Sequence, residues 1–447
     1  MTLLRRGDEG YEAARLDAVW NDRKPDRHPA AILLARTEAD VVAAVRLARA
    51  EGWTIGLRSG GHSWIGTGLR DGGLLLDLSR LNGLRIDRDA RLAEAGPGLR
   101  GTDLNARLAA EGLVFPSGHC PSVGIGGFLL GGGYGWNSRE LGPACLSIEA
   151  IDVVLASGEL VHADEANHPE LLWAARGAGP GFFGIVIRFH LRVYPLYDRI
   201  LRSFYLFPAE LRDDLLAWSY EKLPSLPAKL EMSVKVSTTP GIEGQTASLT
   251  LAAFCSDGAG TELLDPARDF PELGRSIRRL EGAESTLADL YALSDNLTPA
   301  GHRYAVDGVW CDGPVGPILA AGRPILDALP TPRSFLLWML WGGYPESERA
   351  CWSAQAPLYF SPNAVWDDPA DDLVNEGWAH AALAGLSPVS RGTQFSDANP
   401  ADRPDRGLSS ANAARLEELR GRYDPEGLLR SYLSPAESTT ALARSRA

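Results

Sequence analysis

Two side chains able to form covalent bonds sit inside glycine-rich runs of this chain. His62 lies in Arg58-Ser59-Gly60-Gly61-His62-Ser63, and Cys120 lies in Ser117-Gly118-His119-Cys120-Pro121-Ser122-Val123-Gly124. A neutral imidazole is a nitrogen nucleophile near physiological pH, and a thiolate is a sulfur one. A large flat ligand gripped from both sides needs such a pair with bare backbone around it. Between Gly118 and Gly135 eight of eighteen residues are glycine, against 48 in 447 overall. Regular helix or strand tolerates that density poorly. It suits backbone N–H groups lining a phosphate or a ring with no Cβ in the way. Outside such a context a free cysteine is usually a small buried hydrophobe. A metal held by His62, His119 and Cys120 would lack a fourth ligand at a usual spacing, so no metal is expected; His119 packs or donates a hydrogen bond.

These residues need elements to hold them. Thr37-Glu38-Ala39-Asp40 reads as a helix start, with Val41, Val42, Val45 and Leu47 as its apolar face and Gly52 as its stop. Trp53–Leu57 is then a strand feeding the Gly60-Gly61 turn; Leu74–Leu78 and Leu92–Ala95 are further strands, and Thr102 caps a helix. Residues 149–156, 160–163 and 188–195 read as strands. From about 199 to 411 glycine thins out and most tryptophans appear. Apolar strands such as Ala247–Phe254 and Ser334–Trp341 alternate there with polar helices such as Asp367–Leu383. Trp310 and Trp338 belong to the core more readily than to a stacking platform for a ring-shaped substrate. Ser396–Leu408 is a linker, and one last helix carries Ala414, Leu416 and Leu419. Neither G-x-G-x-x-G after the first strand nor G-x-x-x-x-G-K-[ST] is present, which argues against a Rossmann site or a P-loop.

Arg58-Ser59-Gly60-Gly61-His62, Asp77-Leu78-Ser79, Gly118-x-Cys120-x-x-Val123-Gly124-x-Gly126-Gly127, Gly131-Gly132-Gly133-x-Gly135 and Trp173-Ala174-Ala175-Arg176-Gly177-Ala178-Gly179 arrive in a characteristic order. That order resembles the vanillyl-alcohol-oxidase-type (PCMH-type) flavoproteins, in the branch of berberine bridge enzyme, 6-hydroxy-D-nicotine oxidase and the oligosaccharide oxidases. The resemblance is dense over 28–195 and returns at Arg415-Leu416 and Tyr423-Asp424-Pro425-Glu426. It implies an α+β fold: a two-subdomain FAD-binding domain over 1–198, an antiparallel-sheet substrate domain flanked by helices over 199–411, and a return segment over 412–447 completing the first. It implies FAD bonded twice, through His62 to the flavin 8α-methyl and through Cys120 to ring carbon 6. It further implies pyrophosphate held by the loop of Arg58, Ser59, Gly60 and Gly61, with Ser63 beside it. Backbone contacts to the flavin and ribityl chain come from Gly118, Val123, Gly124, Gly126, Gly127, Gly131, Gly132 and Gly135, and Ile185 and Val186 lie near the adenine half. Backbone N–H donors around Cys120 are expected to lower its thiol pKa.

The tail departs from that pattern. Of an expected tyrosine pair and asparagine only Asn412 remains, Gly427 and Leu429 replace Asn and Phe, and the last segment reads Ser431-Tyr432-Leu433. Leu146-Ser147 and Phe182 also stand where Asp-Asn and Asn are usual. The catalytic base therefore has only positional candidates, Tyr432 and Tyr359. The resemblance implies an oxidase that takes hydride from an alcohol, amine or sugar-like secondary metabolite and returns electrons to O2, giving hydrogen peroxide. A dehydrogenase or oxygenase of natural-product biosynthesis, or a flavin protein that has lost turnover, are the alternatives. The formal net charge of −13 argues against nucleic acid or anionic membrane as partner. No apolar run is long enough to span a bilayer and no h-region follows Arg5-Arg6. Five scattered cysteines lack C-x-x-C spacing and suit a reducing cytoplasm. A monomer or homodimer is expected.

Overall fold

The computed structural model describes residues 2–395, 397, 407–434 and 437, with 382–384 as backbone alone. Near its N-terminus, Ala31–Leu34, Leu74–Asp77 and Ile55–Arg58 form a parallel core, and Thr2–Arg5 adds antiparallel to one edge. The helix Glu38–Glu51 starts where the sequence indicates: Thr37 Oγ1 accepts from Asp40 N at 3.2 Å and the Asp40 carboxylate accepts from Thr37 N at 3.2 Å. Its Val41, Ala44, Val45 and Ala48 are buried against Leu33, Ile55 and Leu76. The parallel strands end together at Arg58 and Asp77, and the loop carrying His62 leaves from that carboxyl-terminal edge, the usual place for a ligand in such sheets.

A second, antiparallel sheet runs in the order Leu84–Asp87, Leu92–Ala95, Gly184–Arg192, Ile148–Leu155, Leu160–Ala163. The helix after Leu92–Ala95 spans Gly101–Ala110 with Arg100 as its N-cap; Thr102 lies inside its first turn and donates to the carbonyl of Pro121 at 2.9 Å. The tail comes home: Ile55 N donates to Leu428 O (2.7 Å) and Arg430 N to Ile55 O (2.9 Å), extending the first sheet. Asp424 fixes that return by accepting from Leu428 N and Leu429 N, each at 2.8 Å.

The middle of the chain forms one antiparallel sheet centred on Arg199–Pro208, Gln245–Cys255, Leu230–Thr238, Phe335–Leu340 and Leu358–Trp366. Alternation along these strands separates two faces. Leu230, Met232, Val234, Leu249, Leu251, Leu336, Trp338 and Phe360 turn toward the helices Arg212–Lys222 and Val315–Leu326 and form a core of their own. The opposite face carries Arg202, Glu231, Ser233, Lys235, Thr250 and Tyr359 toward the glycine-rich loops. Trp310 and Trp338 are fully buried core residues. No helix among the described residues is long and apolar enough to cross a membrane. Most of the segment 396–408 lies outside the described residues.

Candidate functional site

The two glycine-rich loops cross. A Cβ on Gly60 would fall 2.4 Å from Gly124 N, and one on Gly124 would fall 2.8 Å from Gly60 N. Backbone touches backbone there, and no side chain fits between. Ser59 Oγ locks the crossing by accepting from Gly127 N at 3.2 Å. The crossing opens into a cavity of about 610 Å³, bounded by the sheet face on the other side. Arg58, Ser59, Gly60, Gly61, His62, Ser63, Gly118, Cys120, Val123, Gly124, Gly126, Gly127, Gly131 and Val186 all line it, so most of the residues singled out in the sequence converge. Gly132, Gly135 and Ile185 do not line it. Gly132 is packed on Trp352, Gly135 on the carbonyl of Ser117, and Ile185 is buried under the first sheet's helix. The Arg58 guanidinium is engaged too: it donates to Asp77 Oδ2 (2.9 Å) and to the carbonyl of Asp17 (3.1 Å). The loop's backbone is therefore what Arg58 secures.

His62 stacks on Trp20 at 5.0 Å, and its Nε2 lies 3.0 Å from Ser122 Oγ, two residues past Cys120. Burial, with Arg100 and Arg58 adding to it, lowers its pKa to about 4. The ring is neutral at physiological pH, as a nitrogen nucleophile must be. Cys120 behaves otherwise than expected. Its Sγ lies 3.4 Å from Thr298 Oγ1, and burial raises the thiol, reinforced by Asp397 and Asp295. Desolvation outweighs the hydroxyl contact, so the sulfur is held as the thiol. His119 stacks edge-on against Trp136 at 4.2 Å with Glu231 3.7 Å away, in a packing role.

Tyr359 and Tyr432 part company. Tyr359 lines the cavity and donates from its hydroxyl to Asp397 Oδ2 at 3.1 Å; Trp64 Nε1 donates to Asp397 Oδ1 at 3.1 Å. Burial raises the Asp397 carboxyl above its ordinary range. Tyr432 is outside the lining, its hydroxyl donating to the carbonyl of Ala178 at 3.0 Å. Asn412 likewise serves structure, its side chain donating to Cys351 O at 2.9 Å.

Comparison with known proteins fits this geometry. Residues 29–164 match the FAD binding domain family. FAD-linked oxidoreductase janO of Penicillium janthinellum is 32% identical over 434 residues, 96% of each chain. The chain belongs to the FAD-linked oxidoreductases. The fold of this FAD-linked oxidoreductase is that of 6-hydroxy-D-nicotine oxidase from Arthrobacter nicotinovorans (TM-score 0.85, 23% identity, 97% of each chain covered). It is also that of BBE-like 1 from Physcomitrella patens (TM-score 0.80, 20% identity, 99% and 97% covered).

The residues of this FAD-linked oxidoreductase suit the cofactor. Gly127 presents open space, its nearest neighbour for a Cβ being Ser59 Oγ at 4.0 Å, so backbone is bare where a ring or ribityl chain would lie. Asp397 is the site residue that the sequence does not disclose. It sits in an Asp-Pro-Arg-rich stretch with nothing beside it to mark a role, and only the fold brings it between Trp64 and Tyr359. Trp341 is likewise a cavity tryptophan that composition alone does not separate from the core ones.

Proposed function

We propose that this FAD-linked oxidoreductase is an oxidase whose FAD is bonded through both His62 and Cys120. It takes hydride from an alcohol, amine or sugar-like small molecule and passes the electrons to O2, giving hydrogen peroxide. The observation that supports this most is the meeting of a neutral imidazole and a thiol in one cavity, carried by loops that touch glycine to glycine. FAD bound there would supply the two-electron acceptor. The chain's own part is proton handling and orientation. Tyr359 is placed to take the proton of the substrate O–H or N–H while its own hydroxyl proton passes toward Asp397, whose raised pKa suits it to share one. The polar sheet face orients the substrate and the tryptophans exclude water.

Acid-precipitated protein should stay yellow, and its tryptic map should carry flavin on the peptides of His62 and Cys120. His62→Ala and Cys120→Ala should each keep one bond. A panel of alcohols, sugars and amines should include one that consumes O2 with matching peroxide. Colourless, folded protein that refuses FAD would overturn the cofactor assignment. A fully flavinylated protein reduced by substrate but not reoxidised by O2 would overturn the oxidase assignment alone.

A further inference from the structure

Lys235 is one of four lysines among 44 basic residues, and it stands on the cavity face of the large sheet. Its register neighbours are Ser248 on one side and Leu337 on the other, with Ser361 beyond Leu337. Ser233 precedes it by two residues on the same face and also lines the cavity. Among the described residues no hydrogen bond or ion pair reaches its ammonium. The carboxylates nearby on this face are occupied elsewhere, and Arg202 is a second cation here whose buried Nε has no hydrogen-bond partner among the described residues. Glu231 accepts from Asn137 N and lies beside His119, Arg202 lies close enough to Asp289 to help hold that carboxyl low, and Asp397 is bridged by Trp64 and Tyr359. Burial alone lowers the Lys235 pKa, with no carboxylate raising it back. A cation taken out of water without a counter-charge is costly unless something pairs with it.

We propose that the substrate carries a carboxylate that pairs with Lys235, with the Ser233 hydroxyl as a second donor. A single compact ammonium matches one negative charge; a phosphate dianion would leave charge over. Lys235 lies two strands and two residues from Tyr359, about 12 Å between Cα positions at ordinary sheet spacings. The carboxylate therefore sits at the end of the molecule away from the carbon that is oxidised. The proposal rests on the reading of this cavity as the oxidation site.

Benzoate and its neutral isostere benzamide serve as probes. Titrated into the holoprotein and followed by tryptophan fluorescence and flavin absorbance, benzoate should bind at least tenfold tighter than benzamide. Lys235→Met should remove that preference and Lys235→Arg should keep most of it; Lys235→Gln stands in should the Met variant fail to fold. Equal binding of both probes to the native protein, or an unchanged preference in Lys235→Met, overturns the carboxylate site. So does loss of flavin from Lys235→Met at an unchanged thermal midpoint, because the lysine would then be a cofactor contact. Colourless protein that still prefers benzoate keeps the carboxylate site and sinks the flavin reading instead.

Discussion

Gly127 and Gly132 belong to one glycine-rich run, yet the structure gives them opposite duties, and two alanine substitutions separate them. Gly127 lies in the helix Ile125–Leu130, lines the cavity, and offers a new methyl nothing nearer than Ser59 Oγ at 4.0 Å. Alanine is favoured over glycine in a helix by about 0.5–1 kcal/mol, so Gly127→Ala should leave the apoprotein as stable or raise its melting point by a degree or two. The methyl would then point into the open cavity, where the proposed function places the cofactor. Overpacking there costs about 1–3 kcal/mol, a weakening of FAD binding of roughly 5- to 150-fold. Gly132 does not line the cavity. Its φ of 101° is hostile to a side chain, and a Cβ would fall 2.8 Å from Trp352 Cδ1. Backbone strain of about 1–3 kcal/mol and overpacking of about 1–3 kcal/mol add to a melting-point loss of about 4–12 °C at roughly 2 °C per kcal/mol for a large chain. FAD affinity of the folded fraction should hold. The assay is scanning fluorimetry beside FAD titration, done in a His62→Ala, Cys120→Ala background so that cofactor exchange is reversible. Unchanged FAD affinity in Gly127→Ala, or affinity lost in Gly132→Ala at full stability, would refute the division.

Tyr359→Phe should lower kcat by about 10²–10⁴-fold, the usual worth of a placed general base, with flavin content unchanged in the absorbance spectrum. Asp397→Asn should also slow turnover, yet urea midpoints should show it gaining on the native protein as pH rises from the ordinary carboxylate pKa toward the raised one, because over that window the unfolded chain gives up the proton while the buried carboxyl keeps it. Tyr432→Phe should leave kcat untouched in steady-state assays and cost about 1 kcal/mol of stability, the worth of its bond to Ala178. His62 has its pKa held down to about 4, against about 6.5 when unfolded. Its neutral form is favoured in the fold, so that share of stability is present above about pH 6.5 and lost as pH falls toward 4; urea midpoints across that range should fall less steeply for His62→Ala.

Much of this architecture was legible because local rules and long-range packing agree. The Thr37 capping box and the tail's Asp424 turn satisfy their own backbone locally, and the strands show by their period-two alternation which face each must bury. The crossing of Gly60 with Gly124 shows in the sequence only as glycine density, since the requirement for bare backbone is what remains when the partner loop is unseen. The carboxyl that partners Tyr359 was not legible. Asp397 acquires its role by lying between Trp64, more than 300 residues upstream, and Tyr359, and no spacing rule connects three residues from separate strands and loops.

The two nucleophiles show where motif reasoning fails. Glycine-rich surroundings around Cys120 promise N–H donors and an easily ionised thiol. In the fold its partner is the hydroxyl of Thr298, at the end of the helix Leu287–Leu297, and Asp295 and Asp397 add negative field. His62 faces the reverse: the same burial that keeps a thiol protonated keeps an imidazole neutral, and Arg58 and Arg100 push the same way. One desolvated cavity thus readies the nitrogen and restrains the sulfur. Were FAD bonded at both residues, the two attachments would be unequal: the imidazole is already neutral for attack, whereas the buried sulfur would first have to lose its proton.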